Sequence, residues 1–384
     1  MIKNSIINPM IIFLFSWISV FTLYYIRLSN SLNYLTAEFI NFCIALAVFC
    51  ILSFYIGAKS ARCHRIRYDT KSIKSIYIFL IILFVIIIAV FSFTLVYFGG
   101  FPLAWAIIGN GKSYTDFGIP TIHGFFNSTM LFLSACTLWM FIKKVKYRFI
   151  SVILLFCIAV PILSLHRQSL VSMLLQFFFI YAAINRENAI RSLRNISLFI
   201  VVITVVFSVL GNVRTGEETI RQQANLSYLG DLLPSYAVWA YMYLVSPLSN
   251  FYELTTIRFE FSMGQTGLSG LTPTFIRDII WGETSEIFRS FVDRTFNAYT
   301  YAFPLYMDFG WYGVFIFSAF ILFVCGAAYK RFILMPSLYN LLFLAFLNHV
   351  VLLFVFANFF LTWGILFEFV LLRICKSKLQ RIAA

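Results

Sequence analysis

Long uninterrupted runs of apolar residues dominate this chain, and short polar segments separate them. Residues 76–98, "IYIFLIILFVIIIAVFSFTLVYF", carry no charge, and the run is long enough for a helix to cross the roughly 30 Å hydrocarbon layer of a membrane. Similar runs predict further membrane-spanning helices at 6–26, 37–57, 125–142, 149–166, 168–185, 195–213 and 309–329. The run 332–367 is too long for one helix and predicts a helical hairpin, so the expected total is about ten spans.

The composition agrees with this pattern. The chain is 61% hydrophobic and only 11% charged, far more apolar than soluble domains. We therefore expect an all-α polytopic membrane protein in which residues 1–384 form a single membrane domain. The seven cysteines are scattered without CxxC or Cys/His spacing, so the sequence supports neither a metal site nor a disulfide framework.

Along the chain, loops rich in Lys and Arg alternate with loops that contain few of them. Of the 29 Lys and Arg residues, 20 fall on one side of the ten-span arrangement: Lys3 and the basic residues of the loop 58–75, of three later loops and of the tail that begins at Arg373. Because positive loops stay on the cytoplasmic side, we expect both termini to be cytoplasmic. The net charge of +14 is then a signal of topology, and we do not expect a nucleic-acid partner.

The opposite side carries one long loop, at 214–307. With Asp308, this region holds ten of the fifteen acidic residues, and aromatic residues recur throughout it. Loops of this length are usually functional or disordered, and the aromatic content argues against disorder. We expect a small periplasmic cap, with an aromatic helix at about 233–249 in the membrane interface.

Two arginines lie at the ends of apolar runs on this side. Arg167 stands in "LSLHRQSL", and Arg214 stands in "GNVRTG" between Gly211 and Gly216. Either side chain could anchor a helix end by extending to the interface. Alternatively, an ionisable residue near membrane depth marks a substrate path, and a guanidinium is suited to bidentate phosphate binding.

Three further ionisable residues stand in or beside apolar runs. Asp308 precedes a charge-free run and could cap a helix that starts at Phe309. His349 is either a buried histidine bonded to a backbone carbonyl or, if the hairpin turns near residue 352, a group close to the outer surface. Glu368 is predicted to be interfacial, near the cytoplasmic end of its span.

Three motifs in this order resemble the bacterial O-antigen polymerase (Wzy-type) family, which joins lipid-linked oligosaccharide repeats. They are "LSLHRQSL" at a periplasmic turn, "GNVRTG" opening the long loop, and "FNAYTYAFPLYMDFGWYGVF" closing it. In the last motif, the residues that match the family's Asn–Thr–Asp-Phe-Gly–Gly pattern are Asn297, Thr300, Asp308, Gly310 and Gly313. "YMYLVSPLSN", which ends at Asn250, resembles the interfacial helix that precedes this motif.

The resemblance implies a fold like that of the C-type glycosyltransferases, and it suggests residues for diphosphate binding, base catalysis and substrate binding. Such an enzyme transfers a glycan from undecaprenyl pyrophosphate to a sugar hydroxyl, without metal or cofactor. Arginines would stabilise the leaving diphosphate: Arg167 and Arg214 first, then Arg277, Arg289 and Arg294. The candidate bases are Asp308, Glu253 and His349, although capping explains Asp308 equally well. Candidate substrate-binding residues also include Tyr243, Tyr306, Trp239, Asn250, Asn297 and Thr300.

The implied partners are the undecaprenyl-pyrophosphate-linked oligosaccharide, the lipid bilayer of the bacterial inner membrane and a chain-length regulator protein. Two alternatives remain at the level of sequence. An O-antigen ligase, which transfers glycan to lipid A core, shares the arginine-lined loops. A polysaccharide transporter or flippase commonly shows internal repeats and charged residues at mid-depth, and neither feature is evident in this sequence.

Overall fold

A computed structural model of the chain describes residues 6–62, 68–69, 71–109, 112, 116–145, 149–185, 205, 208–209, 217–281, 296 and 298–384. Within these residues the regular structure is helical, apart from two isolated β-bridges, Ser29–Leu226 and Ser337–Ala383. The predicted all-α architecture is therefore confirmed for the described residues.

The first half of the chain consists mainly of long apolar helices. They are α1 (Pro9–Ile26), α2 (Ala37–Ser60), α3 (Lys71–Phe98), α4 (Pro102–Ile108), α5 (Ile122–Ile142), α6 (Ile150–Leu163) and α7 (Arg167–Ile184). Side-chain caps define some of the starts: Asn8 accepts a hydrogen bond from the Met10 N–H, and Thr36 accepts one from the Phe39 N–H.

The second half has shorter helices, followed by one long helix and a broken pair. The helices are α8 (Glu217–Ala224), α9 (Tyr228–Asp231), α10 (Ser235–Thr256), α11 (Thr274–Trp281), α12 (Ala302–Leu334), α13 (Leu338–Leu352), α14 (Trp363–Ile374) and α15 (Lys376–Leu379). Short 3-10 helices occur at Leu268–Leu271, Leu353–Val355 and Phe359–Leu361.

Seven helical segments in the described residues are long and apolar enough to cross a membrane. They are Pro9–Ile26, Ala37–Ser60, Lys71–Ile108, Ile122–Ile142, Arg167–Ile184, Ala302–Leu334 and Leu338–Val355. The polytopic membrane character is thus supported, whereas the total of ten spans and the periplasmic cap remain predictions. The expected span at 149–166 corresponds to α6, which has only 14 residues, and the expected span at 195–213 lies almost entirely outside the described residues.

Glycines allow α2 and α12 to pack backbone against backbone. A Cβ atom at Gly57 would lie 2.0 Å from the Phe323 carbonyl oxygen, and one at Gly326 would lie 2.0 Å from the Phe54 carbonyl oxygen. No side chain fits at either position without moving backbone, so this crossing depends on both glycines.

The C-terminal tail joins the basic ends of several helices. Lys143 Nζ donates to the Ala384 carbonyl (2.8 Å), Asp69 N–H donates to the Arg381 carbonyl (2.8 Å), and the Lys376 ammonium lies 5.6 Å from the centre of the Tyr339 ring. We call this part of the molecule the basic end, and the part near the starts of α5 and α7 the opposite end. The contacts bring together segments whose positive charges the sequence assigned to one side.

The predicted hairpin at 332–367 is present, with its first helix ending at Leu352, but its two helices are short. Helix α13 has 15 residues and α14 has 12, which correspond to roughly 22 and 18 Å of axial rise. The segment between them, at 353–362, contains two short 3-10 turns and no α-helix. Irregular backbone at membrane depth is tolerated when protein surrounds it, and the packing described below provides that surrounding.

Candidate functional site

The helix α12 reverses direction near its start. Phe309 (φ −141°, ψ 15°) and Gly310 (φ 60°, ψ −154°) interrupt the helical backbone, and the Gly310 conformation is one that glycine adopts readily. A Cβ at Gly313 would lie 2.8 Å from the Leu305 carbonyl oxygen, and the Tyr301 hydroxyl lies 2.6 Å from Ser318 Oγ. Residues 302–308 therefore fold back beside the first turns of the long part of α12.

This fold-back carries residue 296 and residues 298–301 into the interior of the bundle. Tyr301 is fully buried, stacks on Phe354 at 4.3 Å between ring centres, and meets Trp17 edge-on at 6.1 Å. Trp17 lies half-way along α1. The end of the long loop, which the sequence assigned to the periplasmic side up to residue 307, thus packs deep among the helices.

Asp308 holds a glycine-rich loop against this reversal. Its carboxylate is fully buried and accepts hydrogen bonds from Ser262 Oγ (2.6 Å), the Thr266 N–H (2.9 Å) and the Gly267 N–H (2.7 Å). A Cβ at Gly267 would lie only 2.7 Å from Asp308 Oδ2, so glycine is required for this approach. The hydrogen bonds go to the loop and not to the first turn after Phe309, so the observed role is a loop anchor and not the predicted helix cap.

Arg167 forms the centre of a compact group of aromatic side chains. It is the first residue of α7 and only 8% exposed. Its guanidinium carbon lies 5.6 Å from the centre of the Trp239 ring and 5.8 Å from that of Tyr243, both on α10. These distances are within the range of cation–π attraction, and the N-terminus of α7 adds further positive potential.

Two more aromatic rings complete this group. Tyr243 stacks on Phe356 at 5.7 Å and meets Phe296 edge-on at 6.2 Å. We call the set Arg167, Trp239, Tyr243, Phe296 and Phe356 the arginine–aromatic site. It joins the start of α7, the middle of α10, the end of the long loop and the irregular segment after α13.

One face of α10 connects this site with the inserted segment. Trp239, Tyr243, Ser246 and Asn250 follow a four–three–four spacing, which places them along one side of a helix. Asn250 Nδ2 donates to the Phe296 and Ala298 carbonyls, each at 3.0 Å. Most of α10 is buried against the rest of the protein, so this helix lies within the fold and extends beyond the predicted 233–249.

Two buried hydroxyls accompany this face. Ser246 Oγ and Thr300 Oγ1 are fully enclosed and have no hydrogen-bond partner within the described residues. The spacing along α10 could have revealed Ser246 from the sequence. Phe296 and Phe356, in contrast, reach the site only through the insertion of the long loop and the break after α13.

The remaining predicted site residues lie elsewhere. Glu253 hydrogen-bonds the Asn33 side chain in the α1–α2 loop, and Tyr306 packs against Phe251 (5.9 Å) and Trp311 (5.3 Å) in an aromatic cluster. His349 is fully buried and lies 3.4 Å from Gln176 Nε2. Arg277 is half-buried on α11. The predicted residues that fall outside the described part of the chain are Arg214, Arg289, Arg294 and Asn297.

His166 precedes Arg167 and was not singled out by the sequence. Its Nδ1 lies 2.6 Å from Ser169 Oγ, and its ring centre lies 5.4 Å from that of His123 on α5. Burial first, and the neighbouring His123 second, lower the pKa of His166 to about 4. Its imidazole is therefore neutral at physiological pH, and Arg167 is the group in this His–Arg pair that carries the positive charge.

The described residues were compared with the requirements of a metal site, and the whole chain with known proteins. Within the described residues, no three His, Cys, Asp or Glu side chains come together in a way that could hold a metal ion. Comparison with protein-family models, with curated proteins and with solved structures finds no match to this chain.

Proposed function

We propose that this chain is an O-antigen polymerase, a membrane glycosyltransferase that joins undecaprenyl-pyrophosphate-linked repeat units on the periplasmic face of the inner membrane. The motifs in the sequence supply the reaction class. The observation that carries the proposal is the geometry of Arg167, a buried cation at a helix N-terminus with two aromatic faces beside it.

The position of this charge supports a functional interpretation. An ionisable residue within a lipid-embedded bundle typically marks a substrate path. The guanidinium and the first N–H groups of α7 present positive potential toward the same region. An anion is the ligand that this arrangement favours, and the half-buried Tyr243 provides an aromatic face that suits a sugar ring or an isoprenoid chain.

In the proposed reaction the acceptor hydroxyl attacks the anomeric carbon of the donor glycan. The new C–O bond forms as the bond between that carbon and the diphosphate oxygen breaks, and the electron pair leaves with the diphosphate. The hydroxyl proton passes to a base. Arg167 stabilises the negative charge that grows on the departing diphosphate, a role that a guanidinium can fill in glycosyl transfer without a metal ion.

Each candidate base already contacts another polar group of the protein, so the geometry does not single one out. Asp308 has both carboxylate oxygens engaged by the glycine-rich loop. His349 is enclosed beside Gln176, and Glu253 is bound to Asn33. The proposal therefore rests on Arg167 and not on a particular base.

The test is extension of a synthetic lipid-linked repeat by the purified protein in detergent or nanodiscs. We expect Arg167→Ala to reduce the extension rate by roughly 100- to 1000-fold, as the loss of one charge-stabilising donor does in other enzymes. Arg167→Lys should also be impaired, because a point charge does not reproduce the planar guanidinium. Arg214→Ala tests the second predicted arginine in the same assay.

The matched control is Arg258→Ala. It removes an exposed arginine from the 214–307 loop, which also contains Arg214, and should leave the extension rate unchanged. Normal extension by both Arg167 variants would refute the proposed role. A cell that lacks the protein separates polymerase from ligase: loss of a polymerase leaves lipid A core capped by a single repeat, whereas loss of a ligase leaves uncapped core.

A further inference from the structure

Three polar side chains from three different helices meet in the interior of the bundle. They are Gln176 of α7, His349 of α13 and Glu368 of α14, and none of them has exposed surface. Gln176 Nε2 lies 2.9 and 3.1 Å from the two carboxyl oxygens of Glu368, and 3.4 Å from His349 Nδ1. The sequence prediction of an interfacial Glu368 does not match this enclosed position.

This cluster is separate from the arginine–aromatic site. Gln176 lies nine residues after Arg167 on α7, which corresponds to roughly 14 Å along the helix axis. Because α7 is one of the segments able to span a membrane, this distance places the cluster near mid-depth. Polar groups at this depth are costly and are typically functional.

Among the residues that the structure describes, the groups that face Glu368 do not supply a fixed positive charge. Its described hydrogen-bond partner is the neutral Gln176 amide, which lies between the carboxyl and the His349 ring. The other titratable group near it on a packed helix is Cys136 of α5, with Cys375 further along the chain after α14. The Phe346 carbonyl of its own helix also faces the His349 ring, which helps to orient the imidazole.

Two atoms of the cluster lack a partner within the described residues. They are His349 Nε2 and Gln176 Oε1, both fully buried. Rotation of the Gln176 amide exchanges its oxygen and nitrogen, and its oxygen then accepts a hydrogen bond from a protonated Glu368 carboxyl. When Glu368 is protonated, its carboxyl is neutral like the Gln176 amide, and its O–H donates a hydrogen bond to the Gln176 oxygen.

We propose that Gln176, His349 and Glu368 form a membrane-buried proton-binding site in which Glu368 carries the proton and the other two side chains are its neutral polar partners. Binding adds one proton to the carboxylate and removes one negative charge from the hydrocarbon interior. This site is independent of the anion chemistry proposed at Arg167.

The first test is the pH dependence of thermal unfolding in detergent, for the wild type and Glu368→Gln. In the unfolded chain the carboxyl is ionised at neutral pH, so the folded state holds one more proton and wild-type stability must fall as pH rises. Gln resembles a protonated carboxyl and cannot ionise. We expect the unfolding temperature of Glu368→Gln to fall less steeply than that of the wild type from neutral to alkaline pH.

Glu38→Gln is the matched control, because Glu38 is exposed at the start of α2 and should leave the wild-type slope unchanged. Parallel curves for the wild type and Glu368→Gln would overturn the proposal.

If Glu368→Gln does not fold, infrared spectroscopy of the wild type and of Gln176→Leu tests the proposal instead. The wild type at neutral pH should show the C=O stretching band of a protonated carboxyl, and Gln176→Leu should shift this band because the carboxyl loses its hydrogen-bond partner. Asp308 does not contact Gln176, so the shift assigns the band to Glu368. A wild-type spectrum without the band, or a band that Gln176→Leu leaves in place, would contradict the proposal.

Discussion

Individual carboxyl groups in this protein owe their roles to their hydrogen-bond partners. Asp308 and Glu368 are both fully buried, yet Asp308 receives two backbone N–H groups and a hydroxyl, whereas Glu368 receives one side-chain amide. Three donors suit a carboxylate that anchors a loop, and a single neutral amide suits a protonated acid.

Substitution of Asp308 should therefore affect stability before chemistry. In Asp308→Asn, one side-chain donor would face either the Gly267 or the Thr266 N–H, and a buried hydrogen bond would be lost. We expect a decrease of about 1–3 kcal/mol in the free energy of unfolding, and a larger decrease for Asp308→Ala. Thermal unfolding of the purified variants measures this, and an Asn variant as stable as the wild type but inactive would instead indicate a catalytic base.

The buried imidazole of His166 should make stability sensitive to acid. Its pKa falls from an ordinary value of 6.5 to about 4 in the folded protein, so between these values the unfolded state binds more protons. Stability should therefore fall as pH falls from about 6.5 towards 4. His166→Asn keeps a polar N-cap residue for α7 and should show a smaller loss of unfolding temperature over this range; an unchanged loss would contradict the assignment.

At the scale of elements, the packing of α2 on α12 shows how two glycines set a helix crossing. A Cβ at Gly326 would meet the Phe54 carbonyl oxygen at 2.0 Å, whereas a Cβ at Gly124 on α5 would meet no atom within 4 Å. The same Gly→Ala change thus has opposite consequences on two apolar helices.

We expect Gly326→Ala to destabilise the protein by about 1–3 kcal/mol through overpacking. Gly124→Ala should be neutral or stabilise it by a few tenths of a kcal/mol up to about 1, because alanine favours a helix more than glycine does. Unfolding temperatures of the two variants provide the comparison. Equal effects would show that the close approach of α2 and α12 does not limit stability.

The break between α13 and α14 is another element that packing decides. The apolar run 332–367 is compatible with two full spans, but residues 353–362 leave the α-helix. Asn358 Nδ2 donates to the Tyr301 carbonyl (3.1 Å), and the Tyr301 N–H donates to the Phe354 carbonyl (2.8 Å). The inserted loop thus supplies partners for backbone that would otherwise remain unsatisfied at membrane depth.

At the scale of the whole molecule, charge separates the two ends. The C-terminal tail ties together the basic ends of α3, α5 and α13, and the arginine–aromatic site lies among the opposite ends of the helices. The positive-inside rule predicts that the basic end faces the cytoplasm.

This orientation can be tested with a membrane-impermeant thiol reagent on intact cells. Tyr228→Cys replaces an 83% exposed residue at the end opposite the basic tail, and we expect it to be labelled from outside. Lys378→Cys, an exposed position in the tail, should react only after the cells are opened. The buried native cysteines, such as Cys50, Cys136 and Cys325, should contribute little background. Labelling of Lys378→Cys in intact cells would show that the predicted topology is reversed and that the proposed site faces the cytoplasm.

The sequence alone determined the class, the positions of most apolar helices and the separation of charge. These properties follow from the free energy of transfer of each segment between water and hydrocarbon, which is local and close to additive. Arg167 was also evident, because a lone cation between two apolar runs stands out without any knowledge of its contacts.

Only the tertiary structure decided where the end of the long loop lies, what Asp308 binds and which side chains meet Glu368. Each depends on contacts between residues far apart in sequence, such as Tyr301 with Ser318 and Trp17, or Gln176 with Glu368. An apolar pattern shows that a segment is buried but not against what it is buried. Side-chain partners and chain reversals therefore emerged only when the helices were packed together.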